Sequence, residues 1–344
     1  MSEVWLLGAG FSYALSDNLS EAERMPLTAE LASRLVARAD DGFFTERTWE
    51  VVRGLPELLG DDAEAWLTYL LASAPYLEEV EQLRNRAAGL ELARAISEVV
   101  RDAQEVVIGE GLADWGELVA RRWIDEGAEI VTLNYDTLAE ELLQRNRHTN
   151  VDTWSPNDVY CYPMRGLGTR GGGGMFGSTE LAPVQVFKLH GSINWYREDV
   201  PLTSLGAATY VGPSTSHGWD DRKAFAGVRP LILPPTYTKA GFYDLVAVRA
   251  QWSAAREAIQ YCDELVIVGT SLRSADWDLR QLILTGVLGP AAGPARLSAV
   301  QEKTITVVDP NPETSRTATD LLRGHRVLHY ESVEDLMDDS TWPS

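Results

Sequence analysis

Residues 5–14, "WLLGAGFSYA", run an apolar segment straight into Gly8, Ala9, Gly10, Phe11 and Ser12. A strand that stops on two glycines admits two readings. Either the backbone must approach something closely, as when glycine amides point at a phosphate with no Cβ in the way, or the glycines serve a packing turn. The Gly-x-Gly-x-x-Gly pattern is incomplete, because Tyr13 and Ala14 follow where a further glycine belongs. Ser12 is placed either to offer a hydroxyl to a phosphate or to cap a short helix.

The opening strand has five counterparts. "EVWLL" (3–7), "EIVTL" (129–133), "QVFKL" (185–189), "ELVIV" (264–268), "TITVV" (304–308) and "RVLHY" (326–330) are short and almost wholly apolar. Such runs predict a parallel sheet covered on both faces. Leu92, Ile96, Val99, Val100, Ala103 and Val107 recur at helical spacing, as do Leu245, Val248, Trp252, Ala255, Ile259 and Cys262. The expected fold is α/β: a Rossmann-like doubly wound parallel sheet with a helical insertion over 26–125, all in one domain spanning 1–344. Segments 148–183, with "RGGGGMFG" at 170–177, and 197–243, with Pro201, Pro213, Pro230, Pro234 and Pro235, are expected to be irregular and loop-rich.

Composition narrows the function. The 344 residues are 45% hydrophobic, enough for a sizeable core. Against 30 basic residues stand 51 acidic ones, a net charge of −21 that repels phosphate backbones and anionic lipid. Neither direct nucleic-acid binding nor membrane binding is expected. Cys161 and Cys262 alone build no disulfide framework and no thiolate metal site. With no basic leader and no membrane-length apolar window, a soluble cytoplasmic protein is expected.

Polar residues gather where the strands end. Asn134 and Asp136 follow the second strand, at the edge where open parallel sheets bind ligands, although Asp136 would equally cap the next helix. His190 follows the third, with Gly191 leaving space beside its ring, while His148, His217, His325 and His329 read as surface or packing residues. After the fourth strand come Gly269, Thr270 and Ser271, suited to phosphate or ribose, with Ser274 to Asp278 as candidate caps for a helix near Trp277. Asp309 and Asn311 close the fifth, where ribose binding and a proline-bounded turn are both open.

Taken in order, Gly-Ala-Gly-Phe-Ser, Asn-Tyr-Asp, Leu-His-Gly, Gly-Thr-Ser-Leu and Asp-Pro-Asn resemble the sirtuin family, in particular its bacterial branch of anti-phage-defence NAD hydrolases. The segment "MPLTAEL" (25–31) is similar to the stretch after the glycine loop in that branch. The resemblance implies NAD as substrate, with Gly8, Ala9, Gly10, Phe11 and Ser12 toward the pyrophosphate and Gly269, Thr270, Ser271, Asp309 and Asn311 toward the adenosine side. It implies Asn134 and Asp136 at the nicotinamide ribose and His190 as the catalytic histidine. Sirtuin deacetylases carry a four-cysteine zinc module after Leu-His-Gly; residues 197–261 here contain no cysteine, so no zinc is expected. The resemblance therefore points to a hydrolase releasing nicotinamide and ADP-ribose or its cyclic form, acting as an abortive-infection effector. It also implies a homo-oligomer and an activating partner such as an NTPase, an Argonaute-like protein or a phage protein. The helical insertion and a tryptophan-rich surface are candidate assembly elements, although packing is the commoner role of tryptophans. Deacylase, ADP-ribosyltransferase and non-catalytic nucleotide-sensing functions are the alternatives.

Overall fold

Strand β1 (Glu3–Leu7) is buried along its whole length. Trp5 and Leu7 face one side of the sheet and Val4 and Leu6 the other, as strand alternation requires. In the computed structural model the described residues are 2–40, 42–146, 159–162, 164–166, 184–198, 209–212, 228–237, 243–289 and 302–339. Around β1 a six-stranded sheet forms with β2 (Glu129–Thr132), β4 (Val186–Lys188), β8 (Glu264–Val268), β9 (Thr304–Val308) and β10 (Arg326–Tyr330).

Every pairing in this sheet is parallel, and the spatial order is β10-β9-β8-β1-β2-β4. The chain leaves β1 toward β2 and β4, then returns to β1's other side at β8. That reversal is the doubly wound order, with its switch point between β1 and β8. Leu7 stands opposite both Thr132 and Val268, so these strands end level at one carboxyl edge.

Helices cover both faces. Between β1 and β2 lie α1 (Ala9–Leu15), α2 (Leu31–Asp40), α3 (Glu46–Leu59), α4 (Ala63–Leu71), α5 (Glu79–Glu110) and α6 (Trp115–Glu126). They pack on the Trp5 face through Trp66, Ile96, Trp115 and Trp123 among others. The opposite face carries α8 (Val246–Tyr261), α9 (Trp277–Leu288) and α10 (Pro312–Leu321), through Ala255, Ile259, Ile283 and Ala318. Full burial of each large apolar side chain contributes roughly 1.5–3 kcal/mol. Helix α7 (Leu138–Arg145) follows β2, and α11 (Val333–Asp338) follows β10.

Two sequence expectations need revision. Strand β10 is an edge strand with exposed and half-exposed residues, so two-sided cover stops at β9. The segments expected to be irregular contribute β3 (Arg165–Gly166), β6 (Thr209–Val211) and β7 (Val228–Ile232), which join β5 (Gly191–Glu198) in a second sheet of order β3-β6-β5-β7; residues 170–177 lie outside the described residues, as do His148 and His217. The tryptophans follow the packing reading: Trp5, Trp66, Trp115, Trp123 and Trp195 are buried, and Trp277 is the exposed one among the described residues. No described helix is long and apolar enough to cross a membrane.

Candidate active site

The switch point is built from glycines. The amide of Gly10 donates to the carbonyl of Gly269 and that of Gly8 to Val268, both at 2.9 Å, so the turns after β1 and β8 are stitched backbone to backbone. A Cβ on Gly269, whose φ is +62°, would lie 2.3 Å from the Phe11 nitrogen, and one on Gly8 would lie 2.5 Å from the Gly269 carbonyl oxygen. Close approach does explain these glycines, and what approaches is the other turn. Since Phe11 N–H also donates to Gly8 at 3.0 Å, the amides of Gly8, Gly10 and Phe11 are committed within the protein. The Phe11 side chain points away, stacked edge-on against Trp115 at 5.6 Å in the core.

Beside this seam opens a cavity of about 150 Å³ at the carboxyl edge of the sheet, lined by Gly8, Ala9, Ser12, Asn134, Asp136, His190, Gly269, Thr270 and Ser271. Four strand ends thus converge on one cleft. Asp309 and Asn311 do not reach it: the Asp309 carboxylate accepts from the Asn311 amide at 2.8 Å, and Asn311 caps α10 through Glu313 N–H at 3.0 Å. The turn-and-cap reading accounts for both.

Ser12, Asn134 and Asp136 form a closed network. Ser12 Oγ donates to Asp136 Oδ2 at 2.8 Å, and Asn134 Nδ2 donates to Ser12 Oγ and to the Gly8 carbonyl, each at 2.9 Å. Both amide hydrogens of Asn134 being used, its Oδ1 is left as an acceptor. Asp136 Oδ1 accepts from Leu138 N–H at 3.1 Å, so this carboxylate holds the first amide of α7 and anchors Ser12 at once. Ser12, expected as a phosphate ligand or cap, instead sits inside α1 with its hydroxyl joined to β2's end.

His190 stands where β4 passes into the second sheet. Its carbonyl accepts from Leu233 N–H at 2.8 Å, and its ring lies 6.4 Å from that of Tyr135 and 6.3 Å from that of Trp252. Gly191 has φ +77°, and a Cβ there would meet the Leu231 carbonyl oxygen at 2.1 Å. The glycine therefore makes the sharp exit from His190 possible, beyond merely leaving room for a ring.

A buried polar layer supports the Asn134–Asp136 turn. Lys188 and Glu140 are both fully buried and paired at 3.2 Å, and Lys188 Nζ also donates to the Asp136 carbonyl. Tyr160 OH donates to Glu140 at 2.8 Å; burial and that carboxylate hold the phenol well above its ordinary pKa, so it serves as a neutral donor. From α5, Gln104 exchanges hydrogen bonds with Thr137, at 2.6 Å to its amide and 2.9 Å to its hydroxyl.

The cleft has a wall that sequence reasoning missed. Met25, Thr28, Glu64 and Val100, all from the helical stretch, line it opposite the strand ends, together with Arg273 and Asp276 from the loop after β8. "MPLTAEL" and "GTSLRSAD" pass through four of these positions, whereas nothing in the sequence marks Glu64 or Val100. Burial pushes the thiols of Cys161 and Cys262 up to about 11, which makes both poor nucleophiles. Among the described residues no group of three or more His, Cys, Asp or Glu side chains is placed to hold a metal ion.

No protein-family model matches the chain, and no curated protein matches it. Among solved structures it is similar to one from work on the mechanism and regulation of Sir2 enzymes, at 13% identity over 97% of this chain and 88% of that one, with a TM-score of 0.41. It is similar also to a crystal structure of a Sir2 homologue in complex with NAD, at 13% identity over 98% and 86% of the two chains, with a TM-score of 0.39. Both likenesses are too distant to assign a function to this chain.

Proposed function

We propose that this protein is an NAD glycohydrolase, which breaks the bond between nicotinamide and ribose and transfers the ribosyl group to water. The observation that carries the proposal is the meeting of Ser12, Asn134, Asp136 and His190, from three separate strand ends, in one cleft at the switch point of a doubly wound sheet. The sirtuin-like motifs of the sequence supply the identity of the dinucleotide.

Each residue has a role matched to its hydrogen bonds. Nicotinamide departs as a neutral molecule with the electron pair of the C–N bond, so no strong acid is needed and the sugar becomes oxocarbenium-like. Asp136, fixed by Ser12 and Leu138, offers preorganised negative potential to that cation. Asn134, with its nitrogen committed to Gly8 and Ser12, presents Oδ1 to a hydrogen of the incoming water. As the water oxygen bonds to the sugar carbon, a ring nitrogen of His190 takes the other proton, a contribution typically worth about 10²–10⁴-fold.

Chromatography of products after incubation with NAD tests this. His190→Ala and Asn134→Ala are each expected to lose most nicotinamide release while still folding, as a cooperative melting transition checks. Unchanged turnover in both variants would refute the assignment. Free ADP-ribose, or its cyclic form, distinguishes the hydrolase from an ADP-ribosyltransferase, which leaves labelled macromolecule. It also separates it from a deacylase, which consumes NAD only with an acyl-lysine peptide, and from a sensor, which binds without product. Uncontrolled NAD loss is toxic, and an abortive-infection effector held in check until a partner or homo-oligomeric assembly releases it is the biological setting that we propose.

A further inference from the structure

Arg273 is the cation that lines the cleft among the described residues, and it comes from a constrained turn. Leu272, the residue before it, has φ +48° and is fully buried. A branched side chain in the left-handed region costs free energy, and here packing in the core beneath β8 holds it there.

Arg273 then crosses to the helical layer. Its guanidinium pairs with Glu64 at 3.1 Å and lies 3.8 Å from Asp276 on its own loop. Glu64 belongs to α4 and is largely buried, whereas the Arg273 side chain is 48% exposed. Nearby, Tyr237 OH donates to Asp62 at 2.8 Å and Tyr237 N–H to Thr68 Oγ1 at 2.9 Å, so the start of α4 is tied to the segment after β7 as well. Glu64, Arg273 and Asp276 line a cavity whose 150 Å³ falls below the roughly 300–1,000 Å³ usual for ligand sites.

Resting on the NAD reading, we propose that Arg273 is the residue that recognises the ligand's diphosphate, and that Glu64 is an internal stand-in for that anion which the ligand displaces. In the glycine turn, the amides of Gly8, Gly10 and Phe11 are engaged by backbone carbonyls. A guanidinium grips phosphate oxygens bidentately, and Thr270 and Ser271 stand beside it on the same loop. An ion pair with one half-exposed member contributes little, so two phosphate charges outcompete a single carboxylate.

Isothermal titration of the full chain with ADP-ribose, ADP and adenosine tests the exchange, with thermal melts to check folding. Arg273→Ala is expected to weaken ADP-ribose and ADP by about ten- to a hundredfold while leaving adenosine unchanged, the size of a lost charge-assisted hydrogen bond; Arg273→Lys should fall between. Glu64→Gln is expected to tighten both diphosphates several-fold and leave adenosine unchanged. If wild type binds ADP-ribose and Arg273→Ala binds it equally, or if Glu64→Gln weakens it, the exchange is overturned while the NAD reading stands. A folded wild type that binds neither NAD nor ADP-ribose overturns both.

Discussion

Replacing Lys188 by Met removes a fully buried ammonium whose contacts are Glu140 at 3.2 Å, also fully buried, and the carbonyl of Asp136. The carboxylate of Glu140 would keep the Tyr160 hydroxyl at 2.8 Å, but its Oε2 already lacks a hydrogen-bond partner among the described residues. Breaking one side of a buried pair costs about 3–5 kcal/mol, because the remaining charge is uncompensated. That is a large share of the roughly 5–15 kcal/mol by which proteins are stable. At roughly 2 cal/mol/K per residue over 344 residues, a loss of about 4 kcal/mol lowers the melting temperature by about 5–6 °C. The double variant Lys188→Met/Glu140→Leu removes both charges and should regain part of that loss, the Tyr160 hydroxyl losing its acceptor. Its NAD cleavage should nevertheless stay low, since the Asp136 carbonyl has lost its partner in either case. Urea unfolding and calorimetry measure the first effect, and nicotinamide release the second. A single variant within about 0.5 kcal/mol of wild type, or a double variant no more stable than the single, would show that the pair does not carry the load assigned here.

The interlocked turns make Gly269→Ala costly, by about 2 kcal/mol or more, through its φ of +62° and the 2.3 Å approach to Phe11. Gly54→Ala, in α3 with open space around it, should instead gain about 0.5–1 kcal/mol, and parallel urea titrations compare the two. Asp62 caps α4; burial raises its pKa, but hydrogen bonds from Ala65 N–H, Tyr237 OH and Glu64 N–H, with the charge of Arg273, outweigh that and hold it below 3.8. A carboxylate depressed on folding contributes stability above its unfolded value and loses it as the pH falls through the folded one. Asp62→Ala should therefore cost about 1 kcal/mol at pH 7, and the gap to wild type should narrow on acidification below pH 3.8 in stability measurements.

The sheet was legible because its signal is local. The runs 3–7, 264–268, 304–308 and 326–330 coincide with β1, β8, β9 and β10, and 129–133 and 185–189 overrun β2 and β4 by a residue or two. Uniform apolarity in β1, β8 and β9 reflects cover on both faces, the mark of a parallel sheet, whereas β10 has such a run at an edge and is only partly covered. The second sheet carries no such signal: β5, "GSINWYRE", mixes polar and apolar residues, and β7 holds Pro230, tolerated because β7 is an edge strand. At the cleft, strand-end residues stood out by position, and Asn134, Asp136 and His190 were legible for that reason. Glu64 was not, since an acidic residue in the first turn of a helix is ordinary and only tertiary packing carries it to Arg273. Lys188 was hidden inside an apolar run, its partner 48 positions earlier.

The seam that floors the cleft joins Gly10 to Gly269, roughly 260 positions later in the sequence. During synthesis the first strand and its glycine turn leave the ribosome long before the strand that completes them, and loops of this span close late. Until β8 and its turn have emerged and docked, a growing chain has three of the cleft's four strand ends but neither the turn that seals its floor nor the guanidinium at its rim. The proposed toxic activity is thereby withheld, by the order of the sequence alone, from every growing copy in which β8 and its turn have yet to emerge.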